Sequence, residues 1–260
     1  MASINNRMLM GCDEQLLCKL DSRVLLHGDV IKPFQAMCDA AAGEGLRITV
    51  ASGHRSFARQ LAIWNSKARG LRPVLDDTGS PIDLESLSDR DKVMAILRWS
   101  ALPGCSRHHW GTDMDIWDAA AVSGDYRLQL VPKEYAGSGP FCRLSEWLQE
   151  HAAGFGFIRP YAFDRGGVAP EPWHLSYLPI ARLYEEKLDR VFLREILDND
   201  QLELRDAVLS NLETIMARFI FPAMTLPQLL YRNERDTDGR SATNNPSRRR
   251  ALAINSPRSC

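Results

Sequence analysis

The stretch 106–118, SRHHWGTDMDIWD, holds two adjacent histidines and three aspartates around one glycine. Read as a strand from Thr112 onward, it sends alternate side chains to opposite faces. Thr112, Met114 and Ile116 then share one side, and Asp113, Asp115 and Trp117 the other. Two carboxylates on one face beside a tryptophan are costly to bury without a cation. His108 lies seven residues before Asp115, a spacing that a straight strand would turn to the opposite face. Gly111, between them, allows the bend that brings the two together.

Imidazole nitrogen with carboxylate oxygen suits zinc, which takes four ligands in a tetrahedron and keeps one position open when it is catalytic. Two ligands are not enough. The remaining histidines are His27, His54, His109, His151 and His174, and the last stands out by its neighbours, PEPWHLSY at 170–177. Glu171 precedes it by three residues on a proline-bracketed approach to a strand. A carboxylate there could reach a metal's open position rather than the metal itself. Each signal alone has a plain structural explanation: a packed Trp-His pair, or, in SGHRS at 52–56, a helix entry with a solvated Arg55. Their joint occurrence and order carry the case.

The elements that must position these groups are legible as patterns. Ile31, Phe34, Met37, Cys38 and Ala41 recur at helical spacing, which predicts a helix over 30–43. The β-branched run LRITVASG predicts a strand over 46–53, and Ser56 is a plausible N-cap for a helix over 56–70. A loop rich in proline, aspartate and serine fills 71–88, followed by a helix over 89–102 that Pro103-Gly104 ends. YRLQLV predicts a strand over 126–131, FCRLSEWLQEHAAGFG a helix over 141–156, and WHLSYL a strand over 173–178. Helical pattern resumes over 180–221, in at least two pieces around Asp198–Gln201. Mixed order and irregular strand spacing favour an α+β fold over a regular βαβ array.

Bulk properties exclude more than they assign. At 260 residues, 45% hydrophobic and 25% charged, the composition is that of a globular chain. A formal net charge of -1 gives no whole-chain field toward nucleic acid or membrane, so no nucleic-acid partner is expected. The charge is uneven: residues 240–260 hold five arginines and no lysine or acid, the pattern of a disordered basic tail. Six cysteines include no CxxC pair, and scattered thiols fit a reducing compartment. The N-terminal stretch has no uninterrupted apolar segment of signal-peptide type, and no run reaches the 18 apolar residues of a membrane span. A soluble, cytoplasmic protein is the expectation.

SGHRSFARQ (52–60), SRHHWGTDMD (106–115) and EPWH (171–174) resemble the SGxRS…Q, SxHxxGxxxD and ExWH motifs of the LAS-type zinc metallopeptidases. More narrowly, they are similar to those of the VanY-like D-alanyl-D-alanine carboxypeptidases of bacterial cell-wall metabolism. The resemblance spans roughly residues 30–180 with the three motifs in order. It implies a small antiparallel sheet bearing one zinc ion, flanked by helices, on the scaffold shared with hedgehog signalling domains. It implies His108, Asp115 and His174 as metal ligands and Glu171 as catalytic base. Arg55 would receive the substrate carboxylate or the developing oxyanion, with Gln60 and Ser106 lining the same pocket. The substrates implied are peptidoglycan peptides, cut at a terminal D-alanine; an endopeptidase of lysin type and a non-catalytic zinc module are the alternatives. Two positions depart from the commoner pattern: Asp113 where many members have a small residue, and His54 where a tyrosine often stands. Residues 1–29 then read as a lead-in, 30–180 as the peptidase domain, 181–234 as a helical extension and 235–260 as the basic tail.

Overall fold

The computed structural model describes residues 4–224, so the basic tail lies outside the described residues. A short helix α1 (Asn6–Leu9), capped by Asn5, leads into a hairpin of β1 (Leu17–Lys19) and β2 (Leu25–His27). His27 ends the hairpin and starts α2 (Gly28–Gly43), its Nδ1 accepting from the Asp29 N–H at 3.2 Å. β3 (Ile48–Ser52) follows, then α3 (Phe57–Ala68), whose N-cap is Ser56 as the sequence predicts. The chain continues through α4 (Asp89–Leu97), β4 (Asp113–Asp118), α5 (Cys142–His151), β5 (Phe157–Ile158) and β6 (His174–Tyr177). Four helices complete the described chain: α6 (Leu178–Glu185), α7 (Arg190–Leu197), α8 (Arg205–Ser210) and α9 (Leu212–Ile215), the last running on into a π turn.

The expected α+β architecture holds. One antiparallel sheet of order β3-β4-β6-β5 forms the centre. In it Asp113 faces Ser176 and Asp115 faces His174, so the two chemical segments are cross-strand neighbours. The pleat divides β4 as its sequence predicts. Met114 and Ile116 are fully buried and pack with Leu175, with Val30, Phe34 and Met37 of α2 and with Leu144 and Leu148 of α5. Asp113 and Asp115 take the other face. A second core, built on Trp64, Val93 and Ile96, also takes in Leu193, Val208 and Ile215, so the helices after residue 180 pack onto α3 and α4.

Gly111 makes the bend expected of it. It sits in the left-handed region at φ 68, and a Cβ there would lie 2.5 Å from Leu17 Cδ2 and 2.8 Å from the His27 nitrogen. No other residue type fits both the conformation and the close approach to β2.

Two expectations need correction and two gain detail. The helix over 89–102 ends at Leu97, because the next residues serve tertiary bonds: Trp99 donates to Leu75 O and Ala101 O accepts from Gln60. The run 180–197 is two helices, since Asp189 breaks it and caps α7 through the Phe192 N–H at 2.8 Å; beyond it, α8, α9 and the π turn are separate pieces. The N-terminal lead-in holds, within its described residues 4–29, a helix and a hairpin. Residues 126–131 form no strand. Their polar groups turn inward to one buried carboxylate, Glu134, which accepts from the Gln129 and Val131 N–H groups at 3.1 Å each and from the Tyr126 hydroxyl at 2.7 Å. An alternating pattern cannot reveal that a side chain will replace a neighbouring strand. The same bonds hold Leu130 at a positive φ of 54, rare for a leucine.

Replacing Glu134 by Ala orphans two backbone donors at once. We expect Glu134→Ala to cost about 2–4 kcal/mol, read as a lower midpoint in denaturant or thermal unfolding. Wild-type stability in that variant would show that water substitutes for the carboxylate.

Candidate metal centre and its cleft

His108, Asp115 and His174 each offer a donor atom, and the three atoms lie within 4.8 Å of one another. His108 enters from the short turn 107–110, Asp115 from β4 and His174 from the first residue of β6. His108 Nε2 is 3.5 Å from Asp115 Oδ2, and His174 Nδ1 is 3.3 Å from Asp115 Oδ1. All three side chains are buried.

The rear nitrogen of each imidazole is fixed. His108 Nδ1 is 2.8 Å from the carbonyl of Gly53, which requires that nitrogen to carry the proton and leaves Nε2 with its lone pair facing the cluster. His174 uses the opposite pair: Nε2 is 2.9 Å from Asp113 Oδ2, leaving Nδ1 for the cluster. A carboxylate or carbonyl behind each histidine is the arrangement that orients metal ligands and raises their basicity. The donor set, two imidazoles and one carboxylate, suits zinc with one position open.

Asp113 is therefore neither a ligand nor a bystander. It is wholly buried and accepts four hydrogen bonds: from His174 and Arg107 Nε (2.7 Å) on Oδ2, and from Thr112 and Ser176 hydroxyls (2.8 Å each) on Oδ1. Burial would raise its pKa, but the Arg107 guanidinium and the His174 bond hold it well below the usual carboxylate range. Arg107 in turn donates to Ser176 Oγ at 2.7 Å and pairs with Glu185 on α6. For His174, burial lowers the pKa, but the bonds to Asp113, Asp115 and Glu171 outweigh that, so its net shift is upward.

Glu171 stands at the open side. Its carboxylate is 3.4 Å from His174 Nδ1, and its backbone N–H donates to Tyr161 O. It lines a cleft of about 700 Å³ together with Arg55, Ser106 and all three clustered residues. Tyr161 closes one wall, its ring edge-on to His174 with centroids 4.9 Å apart. Arg55 is held by Gln60 Oε1 at 2.9 Å and Ser52 Oγ at 3.3 Å. Burial lowers its pKa while Asp115 and Glu171 act to raise it. Ser106 precedes the 107–110 turn with its hydroxyl uncommitted to a cap.

Gln60 differs from expectation. It is fully buried on the inner face of α3 and is not among the residues lining the cleft; both ends of its amide are engaged, by Arg55 and by Ala101 O. Its buried amide supports the Arg55 guanidinium. His54 likewise does not line the cleft. His109 is a buried brace: its Nε2 accepts from the Gly104 N–H, its Nδ1 is 2.5 Å from Arg55 O, and burial pushes its pKa down to about 3. Asp118 caps backbone at Arg47 and Ala120. Arg107, Ser176, Glu185 and Tyr161 carried no signal of their own; only Asp113 did, as an acid on the correct face.

A two-histidine, one-carboxylate cluster with a separate acid beside it, on an antiparallel sheet, is the set of groups a single-metal hydrolase needs. The chain belongs to the D-alanyl-D-alanine carboxypeptidase (VanY) family, whose model matches residues 23–180. It is 36% identical over 121 residues to an uncharacterized protein of Haemophilus influenzae, covering 46% of this chain and 92% of that one. It is 27% identical over 166 residues to a D-alanyl-D-alanine carboxypeptidase of Enterococcus faecalis, covering 61% of this chain and 52% of the relative, so it spans about half of that enzyme's length. Among solved structures it is similar to VanYB in complex with D-alanine-D-alanine, at TM-score 0.46 and 25% identity, covering 71% and 88% of the two chains. No helix among the described residues is long and apolar enough to cross a membrane.

Asp113→Asn keeps the volume and removes the charge behind His174. We expect it to weaken binding of a divalent ion by about ten- to a hundredfold, measured by competition with a chromophoric chelator. Unaltered affinity would show that Asp113 serves the sheet alone.

Proposed function

We propose that this protein is a zinc-dependent carboxypeptidase that removes the terminal D-alanine from peptidoglycan-derived peptides. His108, Asp115 and His174 would hold the ion and Glu171 would be the general base. The observation that carries the reading is the Glu171 carboxylate, 3.4 Å from a ligand nitrogen yet outside the three-donor set, in a chain of this family. A non-catalytic module has no need of it.

When bound, zinc supplies Lewis acidity, polarising a carbonyl oxygen and lowering the pKa of water from about 16 to about 7. The chain's own residues do the rest. Glu171 takes the proton from the attacking water at its carboxylate and returns it to the leaving amine, a shuttle that needs one group within reach of both. Arg55, fixed by Gln60 and Ser52, presents a planar fork suited to a carboxylate or to a developing oxyanion. Ser106 lends a hydroxyl to the same wall, and Tyr161 and Trp173 narrow the cleft around the reacting centre. In this reading residues 30–180 carry the chemistry and the helices from 181 onward buttress α3 and α4.

The direct test is to incubate zinc-loaded protein with defined muropeptides and weigh the products. Loss of one alanine residue supports the reading; cleavage only within cross-bridges would replace it with an endopeptidase. Glu171→Ala is expected to bind zinc and lose at least about a hundredfold in rate. His174→Ala is expected to lose the metal, and a full equivalent of bound zinc there would mean the ligand set is wrong.

A further inference from the structure

Glu171 stands between two prolines, in the run Ala169-Pro170-Glu171-Pro172. Proline has no backbone N–H, so from 169 to 172 only Ala169 and Glu171 can donate. The Glu171 N–H goes to Tyr161 O and the Ala169 N–H to Arg98 O, each at 2.9 Å. Downstream, the Glu171 carbonyl accepts from the His174 N–H at 3.1 Å, where the pairing of β6 begins. Upstream, the acid depends on the segment 159–169 that follows β5.

One side chain grips that segment. Arg98, directly after α4, donates through Nη1 to Asp164 Oδ1 at 3.0 Å and to Gly167 O at 2.9 Å, and through Nη2 to Asp164 Oδ2. A two-pronged pairing of this kind fixes direction as well as distance. The remaining Nε donates to Asp77 Oδ1 at 2.7 Å, in the 71–83 loop. Asp77 lines the cleft, as do Tyr161, Val168 and Glu171, whereas Arg98 does not. One guanidinium thus ties two parts of the cleft wall to the end of a helix whose Val93, Ile96 and Leu97 are in the core. The segment has a second support. Arg218 donates to Gly166 O at 2.6 Å, and a Cβ at Gly167 would lie 1.9 Å from Arg218 O. The segment is therefore held between Arg98 and the turn at 216–220.

We propose that Arg98 is a positioning residue for Glu171, acting through Asp164 and Gly167 on the segment that carries the acid. This rests on the reading of Glu171 as general base. The three metal-site residues come from β4, β6 and the 107–110 turn, while the side-chain bonds of Arg98 go to the segment and to Asp77. The clamp thus bears on where the base sits and not on how the ion is held. A misplacement of about 1 Å caused by a change far from the chemistry can cost about a hundredfold in rate.

The test measures kcat, KM and zinc affinity of Arg98→Ala and Asp164→Ala with an acyl-D-alanyl-D-alanine peptide. Each variant is expected to lower kcat by about ten- to a hundredfold, with KM little changed and zinc affinity intact. A matching loss of zinc affinity in both, as a collapsed site would give, overturns the assignment. In a Glu171→Ala background, Arg98→Ala is expected to slow residual hydrolysis no further, because both changes remove one function. A full additional loss there also overturns it. Hydrogen exchange reads the clamp without turnover: the Ala169 and Glu171 amides are expected to exchange at least about tenfold faster in both variants. Wild-type kcat in both variants overturns the Arg98 assignment and leaves the carboxypeptidase reading standing. If wild type cleaves no such peptide, that reading fails and exchange alone decides the clamp: faster exchange at both amides keeps it, and unchanged exchange removes it.

Discussion

The site depends on one buried contact, the Asp113 carboxylate shared between Arg107 and His174. Among the described residues, Asp113 joins a clustered histidine by hydrogen bond to the ionic network beneath the sheet. Removing either partner of such a pair leaves an uncompensated charge in the interior, at about 3–5 kcal/mol. The network holds because each member has several partners. Asp113 accepts four bonds, and Arg107 reaches Asp113, Ser176 and Glu185 with three different nitrogens. Ion pairs of this kind contribute little net stability. What they fix here is the ring orientation of His174, and hence which nitrogen faces the metal position.

That orientation in turn relies on the chain path. β6 passes into α6 without a loop, so His174 and Glu185 belong to one continuous segment. The strand end places His174 against Asp113, and the helix end carries Glu185 back to Arg107. Arg107 is thus clamped from both ends of the same segment. Its own position is set by the turn 107–110, which Gly111 closes against β2. The hairpin that sequence reading passed over therefore takes part in aiming His108, which follows Arg107 directly. The bulge in β3 between Val50 and Ser52 contributes as well, since it lies just before Gly53, whose carbonyl fixes the His108 tautomer.

Much of this was legible in the sequence, for identifiable reasons. The period-two pattern of β4 gave the correct faces because one side is a dry core, and a one-residue slip would bury both aspartates in it. The Ser56 cap and the Gly111 bend were readable because each is a local rule. What failed was non-local. The helix over 89–102 stops early because Trp99 and Ala101 bond to residues far away in the chain. The strand over 126–131 is missing because Glu134 takes the donors a neighbouring strand would have taken. Gln60 was expected in the pocket, but the inner face of α3 places it one layer back, behind Arg55. Glu185 had no signal at all: it is an ordinary acid near a helix end until the fold brings Arg107 to it from 78 positions earlier in the chain.

The charges around the cleft fall into two kinds, and the division bears on how a substrate is read. Asp113, Arg107, Glu185 and Asp118 are bonded within the protein itself. Asp115, Glu171, Arg55 and Lys67 line the cleft, and each has capacity left for something the chain does not contain. The first kind are carried by strand, turn and helix end and bond to one another or to backbone; the second converge on one cavity. A peptide end offers the matching set: a carbonyl to polarise, an amine to protonate and a carboxylate to neutralise. Two unpaired cations within one low-dielectric cleft repel each other, so binding an anion there relieves a cost the empty site carries. A ligand with a free carboxylate can supply that relief, and an uncharged backbone position inside a longer chain cannot.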